Sequence, residues 1–185
     1  MNKNYKHVEE TRITISELML PSHANFSGKI HGGYILSLLD QIAFACASKH
    51  SGKYCVTASV DTVDFLNSIE VGELVTMKAS INYVGKTSMV VGVRVEAENI
   101  ITGIKKHCNS SYFTMVAKDA KGNSSLVPGL IIEDDIEIRR FLKAIKRIEM
   151  KHKRKQEFDH EDFIPHDYLK DLESYHVKIK SNKSK

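Results

Sequence analysis

The sequence predicts an α+β protein in which an antiparallel sheet wraps around one buried helix. Residues 34–48 contain no Gly or Pro, and their apolar side chains recur at the three- and four-residue steps of one helix face. Several long segments follow in which apolar and polar residues alternate, as they do in half-buried strands. Because a helix and a sheet each have one large apolar face, the two elements are expected to bury those faces against each other.

Length and composition indicate one domain of ordinary size with an extension. The chain has 185 residues and a formal net charge of +4, which is enough length to bury a full core. Its cysteines, Cys46, Cys55 and Cys108, are far apart, which argues against a disulfide framework and against a metal site. The polar N-terminus and the lack of a long apolar run argue against a signal peptide or a membrane span. We therefore expect a cytoplasmic protein that binds no metal.

The first predicted elements are a strand and the buried helix. Residues 8–20 mix Thr, Ile and Val, which favours a strand, and turn residues from Pro21 to Asn25 end it. The helix follows at Tyr34. The face that it is expected to bury consists of Ile35, Leu38, Leu39, Ile42, Ala45 and Cys46.

Four strand-like segments follow the helix. The first of them is predicted to have one polar face, which carries Thr57, Ser59 and Asp61. The second and third are joined by a short turn that contains Gly85, which predicts a hairpin. The four segments cover residues 55–65, 75–83, 89–97 and 107–118.

The composition changes near residue 130. From Glu133 onwards, Ile and Leu recur at helical spacing among many Lys and Arg residues, so we expect a domain over residues 1–130 and a charged, mostly helical extension over residues 131–185. This helix is expected to pack its apolar face on the domain or on a neighbouring subunit. A basic cluster could also attract nucleic acid or an anionic membrane. Because the acidic residues of 157–162 offset its charge at once, the first interpretation is favoured and no nucleic-acid partner is expected.

The stretch from Asn25 to Asp40 points to chemistry. A carboxylate within a buried helix costs several kcal/mol to desolvate unless something specific solvates it, so Asp40 is a candidate functional residue. Gly32 and Gly33 at the helix start let a ligand approach free N–H groups, where the helix dipole is positive. Together these features predict an oxyanion or carbonyl site at the helix start, with a carboxylate about two turns further along.

Four sequence blocks in a fixed order carry a family resemblance. They are Asn25 with His31-Gly32-Gly33 and Asp40, then residues 60–65 with Val71-Gly72-Glu73, then Tyr83 to Met89, and finally Val127-Pro128-Gly129-Leu130. In this order they resemble the hotdog-fold acyl-CoA thioesterases of the YciA and brain acyl-CoA hydrolase type. The resemblance covers roughly residues 8–130, and the charged extension matches no part of it.

The resemblance implies that an acyl-CoA thioester is hydrolysed to a free acid and coenzyme A, with no cofactor beyond the coenzyme A moiety of the substrate. A thioester carbonyl is electrophilic, so an attacking water needs only a base and an oxyanion stabiliser. Asp40 is the candidate base or, as an alternative, the nucleophile that forms a mixed anhydride. Gly33 is the preferred N–H donor to the oxyanion, and Asn25 would orient the water or the thioester.

The resemblance also implies partners and substrate contacts. In family members, the Asn and Asp of one site come from opposite protomers, so a homodimer is the expected minimal unit, with a hexamer built as a trimer of dimers as a further possibility. A cation and two hydroxyls at the hairpin turn resemble the segment that contacts coenzyme A. The candidate substrate-binding residues are His31, Gly32, Gly85, Lys86, Thr87 and Ser88.

Each assignment has a structural alternative. Asp40 could pair with a Lys or Arg at an interface, and Asn25 could be a turn residue held by local hydrogen bonds. His31 could be a helix cap or a gate, and the hairpin residues could be an ordinary polar tip. The alternative function is a non-hydrolytic acyl-CoA-binding or regulatory protein with the same fold.

Overall fold

The computed structural model describes residues 4–160, 164, 169–172 and 174–179. A short 3-10 helix, Pro21–His23, lies between the first two long elements. The labelled elements, in chain order, are β1 (Tyr5–His7), α1 (Val8–Thr11), β2 (Ile13–Leu18), α2 (Gly32–Ser51), β3 (Tyr54–Val60), β4 (Glu73–Val84), β5 (Ser88–Asn99), β6 (Lys105–Lys118), β7 (Gly129–Ile131), α3 (Asp135–His160) and α4 (Leu169–Leu172).

A five-stranded antiparallel sheet packs around α2, which confirms the predicted α+β architecture. The strand order is β2-β4-β5-β6-β3, so β2 and β3 are the two edges. The hairpin of β4 and β5 is the centre of the sheet, and its inward residues form the core with the buried side of α2. The largest fully buried side chains include Phe113, Leu39, Ile42, Met77 and Met89.

Helix α2 is longer than the sequence predicts. It begins after His31 and ends at Ser51, and the C-cap residue Gly52 has a left-handed φ of 67°, which is well suited to glycine. Of the predicted buried face, Leu38 and Ala45 are only half-buried, whereas Ala43 and Ala47 are fully buried. The buried face of α2 is therefore rotated slightly about the helix axis from the face that the larger apolar residues predict.

The predicted strand over residues 8–20 is wrong in its first part. Val8–Thr11 is a single helical turn, and Ile13–Leu18 alone pairs with β4. The turn is stabilised because the Glu10 carboxylate accepts a hydrogen bond from the His7 N–H at 3.2 Å. Val8 and Thr11, three residues apart, are both buried. This spacing favours a helical turn over β-propensity.

The chain divides into two compact units, residues 1–145 and 146–185. The first unit contains the start of α3, where Asp134 Oδ1 accepts a hydrogen bond from the Glu137 N–H at 2.7 Å. Arg12 pairs with Glu137 at 2.8 Å. The predicted helical character of the extension is confirmed for residues 135–160, while its boundary at residue 130 stays a prediction. In the part of the chain that the structure describes, no helix is long and apolar enough to cross a membrane.

Candidate active site

The start of α2 carries the predicted N–H donors. His31 is the N-cap residue, and its Nδ1 accepts a hydrogen bond from the Gly33 N–H at 3.0 Å. Within the described residues, the Gly32 N–H has no hydrogen-bond partner. The sequence favoured Gly33 as the oxyanion donor, but here that N–H is already used by the cap. The structural alternative for His31, a helix cap, is the arrangement that the structure contains, and Gly32 has the available donor.

Both glycines leave space that a side chain would fill. A Cβ at Gly33 would lie 3.1 Å from His31 Nδ1, and a Cβ at Gly32 would lie 3.4 Å from the ring of Phe65. Phe65 is itself 47% exposed. The helix start is therefore a narrow polar opening beside an aromatic ring, and a thioester group could approach its N–H groups closely.

Asn25 holds the loop that precedes α2. Its Oδ1 accepts hydrogen bonds from the N–H and the hydroxyl of Ser27 at 2.9 and 2.7 Å, and from the N–H of Lys29 at 3.2 Å. Gly28 closes this loop with a left-handed φ of 79°. The amide oxygen is thus committed to the turn, as the structural alternative proposes, while Nδ2 has no partner within the described residues. Asn25 can therefore serve as a donor and not as the acceptor that the sequence also allowed.

Asp40 is exposed in the single chain, so the premise that its carboxylate is desolvated by this helix is wrong. It lies on the side of α2 that faces strand β3. The Thr57 hydroxyl donates a hydrogen bond to Asp40 Oδ1 at 2.5 Å, and Thr57 Oγ1 also lies 3.4 Å from Met115 Sδ. The second oxygen, Oδ2, accepts no hydrogen bond within the described residues. A carboxylate held in this way is suited to accepting a proton from water.

Thr57 is a candidate site residue that sequence analysis missed. Sequence analysis placed it on the polar face of the strand and gave it no role, and the structure adds that its hydroxyl contacts α2 through Asp40. The pairing of β3 with β6 shifts register between Thr57 and Ser59, so Ala58 is a bulge. The bulge changes the alternation beyond Thr57. The only signal in the sequence was a hydroxyl residue on the polar face of this predicted strand.

The available donor, the Gly32 N–H, and the predicted base, Asp40, cannot act on one carbonyl group within a single chain. Gly32 and Asp40 are more than two helical turns apart, about 12 Å along the helix axis at 1.5 Å per residue. A base that acts through water must lie within about 3 Å of that water, which must in turn contact the carbonyl carbon. The single chain therefore carries two candidate half-sites, one at the start of α2 and the other at Asp40.

The edge of the sheet beside Asp40 is apolar and open. Strand β3 has a free edge in the sheet order, and the exposed fractions of Tyr54 and Val60 are 66% and 43%. Leu36 and Phe44 on α2 are 38% and 36% exposed, and the Phe44 ring contacts that of Tyr54 with centroids 5.5 Å apart. Such a surface of free backbone groups and apolar side chains is suited to pairing with another copy of the chain.

The hairpin turn between β4 and β5 presents the predicted coenzyme A contacts. The Gly85 N–H donates to Ser88 O at 2.8 Å, and the carbonyls of Lys86 and Thr87 accept hydrogen bonds from Val127 and Ala117, both at 3.0 Å. These bonds fix the backbone of the turn. The Lys86 side chain is exposed and has no ion pair within the described residues, so it is available for an anion.

The described residues contain no group of three or more His, Cys, Asp or Glu residues that could hold a metal ion.

The chain is similar to several curated proteins. A family model described as the thioesterase superfamily matches residues 27–104. VdlD of Helicobacter pylori is 45% identical over 77% of this chain and 82% of its own length. The uncharacterised acyl-CoA thioester hydrolase YkhA of Bacillus subtilis is 32% identical over 80% of this chain and 86% of its own length. The human cytosolic acyl coenzyme A thioester hydrolase is 31% identical over 83% of this chain and 41% of its own length.

Solved structures share the fold. An apo hexameric acyl-CoA thioesterase has a TM-score of 0.80 and 37% identity, covering 82% of this chain and 97% of its own. An acyl-CoA hydrolase from Staphylococcus aureus, solved with butyryl coenzyme A and coenzyme A, has a TM-score of 0.77 and 32% identity, covering 84% of this chain and 94% of its own. Alanine variants of an asparagine, an aspartate and a threonine in that enzyme are also solved, and the three are spaced as Asn25, Asp40 and Thr57 are here. The chain belongs to the thioesterase superfamily, as a hydrolase with the hotdog fold.

Proposed function

We propose that this protein hydrolyses acyl-CoA thioesters to a free acid and coenzyme A at a site shared between two subunits. The observation that carries the proposal is the separation of two half-sites in one chain. One is Gly32, whose N–H has no partner among the residues that the structure describes, and the other is Asp40, held by Thr57 beside an open sheet edge. Antiparallel pairing of two β3 edges about a twofold axis would bring the start of α2 in one subunit towards Asp40 of the other. The minimal active unit is then a homodimer.

In the proposed reaction, Asp40 takes a proton from water as the water oxygen attacks the thioester carbonyl carbon. The carbonyl π electrons move to oxygen, and the oxyanion accepts hydrogen bonds from the Gly32 N–H and from Nδ2 of Asn25. Collapse of this intermediate breaks the carbon–sulfur bond, and the proton on Asp40 passes to the departing thiolate. The products are the carboxylic acid and coenzyme A, and the Asp40 carboxylate is regenerated.

The arrangement of Asp40 supports a base rather than a nucleophile. One carboxylate oxygen accepts the Thr57 hydrogen bond, which orients the group and reduces its nucleophilicity. The other oxygen can hold a water at hydrogen-bond distance. Gly33 would become a second donor to the oxyanion only if the His31 ring rotated away from it, so His31 would act as a gate on that N–H group.

The substitutions solved in the Staphylococcus aureus enzyme support this set of residues. Its altered asparagine, aspartate and threonine have the sequence spacing of Asn25, Asp40 and Thr57. The last of these three is the residue that contacts Asp40 here, although sequence analysis had given it no role. The shared spacing and the Thr57–Asp40 contact together favour a role for all three residues in one active site.

Substrate capture is proposed to use the hairpin turn. Gly85 and the backbone hydrogen bonds around it keep the turn rigid, and Lys86, Thr87 and Ser88 would contact the phosphates and pantetheine amides of coenzyme A. The hexamers named among the related acyl-CoA thioesterases support assembly beyond the dimer. The likeness to a cytosolic human relative supports a cytoplasmic setting.

The experiment that tests the function is release of free thiol from acyl-CoA. Purified protein is incubated with acyl-CoA esters of increasing chain length and a thiol reagent. Continuous release over many turnovers, abolished in Asp40→Asn, is expected. Stoichiometric binding without turnover would contradict hydrolysis and would favour the non-hydrolytic acyl-CoA-binding alternative.

A further inference from the structure

A cavity of about 570 Å³ lies on the face of the sheet opposite α2, and we call it the outer cavity. Its floor is formed by residues of β4, β5 and β6 that alternate with core residues, so their side chains point away from α2. One wall is the first turns of α3. Its volume is in the range of sites that hold small molecules.

The floor of the outer cavity is polar although it is covered. Ser80 and Asn82 are only 8% and 6% exposed, and the Ser80 hydroxyl donates to Asn82 Oδ1 at 3.1 Å. Asn82 is the bulged residue of β4, where the pairing with β5 shifts register. A Cβ on Gly92 would lie 2.2 Å from Asn82 Nδ2, so the amide could not keep this position beside a larger residue. A bulge and a glycine that together place an amide in a cavity resemble a built binding site more than a packing surface.

The walls of the outer cavity carry an excess of positive charge. Three of its cations have acidic partners: Arg12 pairs with Glu9 and Glu137, while Lys78 and Arg94 share Glu96. The three cations on α3 have no ion pair within the described residues. The only carboxylate among the lining residues is Asp134, against the six cations Arg12, Lys78, Arg94, Arg139, Arg140 and Lys143.

We propose that the outer cavity binds a small-molecule polyanion that carries at least two phosphate groups. Three cations that have no ion pair within the described part of the chain lie along one wall, which exceeds what a single phosphate needs. The volume leaves room for a larger organic part beside them. The Ser80 and Asn82 side chains would contact that part. The ligand comes either from the nucleotide portion of coenzyme A or from a separate phosphorylated effector, and both share the diphosphate chemistry that the cations recognise.

The test is calorimetric titration of the full chain with inorganic pyrophosphate at low salt. The double variant Arg139→Gln with Lys143→Gln removes two unpaired cations from exposed positions, and Lys146→Gln, which removes a cation outside the cavity on the same helix, is the matched control. We expect the Kd for pyrophosphate to rise about tenfold or more in the double variant and less than twofold in the control. The absence of binding to the wild-type protein at millimolar pyrophosphate, or equal Kd values in both variants, would overturn the proposal.

Two further arms identify the source of the phosphates. If coenzyme A displaces pyrophosphate, and the double variant raises KM for acyl-CoA but not for an acyl-N-acetylcysteamine, the cavity holds the nucleotide portion of the substrate. If pyrophosphate still binds at saturating coenzyme A, the cavity serves a separate effector. If Lys86→Ala abolishes pyrophosphate binding and the double variant does not, the anion binds at the hairpin and the proposal is wrong. Binding is measured without turnover, so a failure of the hydrolytic proposal would not affect these outcomes.

Discussion

The Thr57 hydroxyl donates a hydrogen bond to Asp40 Oδ1 at 2.5 Å and so joins the edge strand β3 to the central helix α2. The contact connects an element that is fixed by the sheet with a carboxylate that is otherwise exposed. A hydrogen bond to a charged group contributes about 1.5–3 kcal/mol. The contact can therefore hold the carboxylate in one orientation, which a proton acceptor requires.

The first prediction concerns this contact. Thr57→Val removes the hydroxyl at nearly constant volume, so kcat should fall by about ten- to a hundredfold while KM changes little, because the lost bond orients the base and does not bind substrate. Thr57→Ser keeps the hydroxyl and should retain most of the activity. Steady-state thiol release measures both variants. An increase in KM with unchanged kcat would instead assign Thr57 to substrate binding.

The second prediction concerns Asp40 itself. Asp40→Asn has the same shape but accepts a proton far less readily, so kcat should fall by about two to four orders of magnitude. Substrate binding should remain nearly intact, as measured by equilibrium binding of a non-hydrolysable acyl-CoA thioether. Turnover comparable to that of the wild type would exclude Asp40 as both base and nucleophile.

The third prediction concerns the sharing of the site. Asn25→Ala and Asp40→Ala are each expected to be inactive, but a mixed dimer of the two would contain one intact site. Mixing them after subunit exchange should restore activity, up to about a quarter of the wild-type value for random pairing of equal amounts. Mass spectrometry of the mixture verifies the exchange. A verified exchange without recovered activity would place Asn25 and Asp40 in the same chain's site.

The fold could largely be predicted from the sequence, because the periodicities of α2 and of the four long strands are local properties of the chain. The family resemblance of the motif blocks added Asn25 to the candidate catalytic residues, which hydrophobic periodicity alone does not reveal. The role of Thr57 could not be predicted, because its contact with Asp40 depends on how strand β3 packs against helix α2, which no local pattern reveals. The commitment of the Gly33 N–H to His31 was also hidden, since a histidine before two glycines is equally compatible with a cap and with a catalyst.

The fourth prediction concerns pH and stability. His50 is buried, its Nε2 lies 3.1 Å from Pro128 O, and its Nδ1 has no partner within the described residues. Burial lowers the pKa of His50 in the folded state, although the Pro128 carbonyl opposes that effect. The unfolded chain, with an ordinary histidine pKa of about 6.5, then binds the proton first, so this residue destabilises the fold as pH falls through that value.

The measurement for His50 is the melting temperature between about pH 8 and pH 5, a range that brackets the ordinary histidine pKa. His50→Gln can still donate to Pro128 O but cannot be protonated, so its melting temperature should fall less on acidification than that of the wild type. His152→Gln, at an exposed histidine on α3 with no hydrogen bond within the described residues, is the control and should follow the wild type. An identical pH dependence in all three proteins would show that His50 makes no contribution.

The last prediction concerns Lys86, the exposed cation of the hairpin turn. Coenzyme A carries several negative charges, and a contact with its phosphates is made equally in the ground state and the transition state. Lys86→Ala should therefore raise KM for acyl-CoA several-fold with little effect on kcat. The increase should shrink as salt is added, because an exposed ion pair is screened over about 8–10 Å at physiological ionic strength.

An acyl-N-acetylcysteamine, which lacks the nucleotide, is the control substrate for Lys86→Ala. Equal losses on both substrates would mean that the Lys86 side chain supports the turn itself and does not contact the nucleotide.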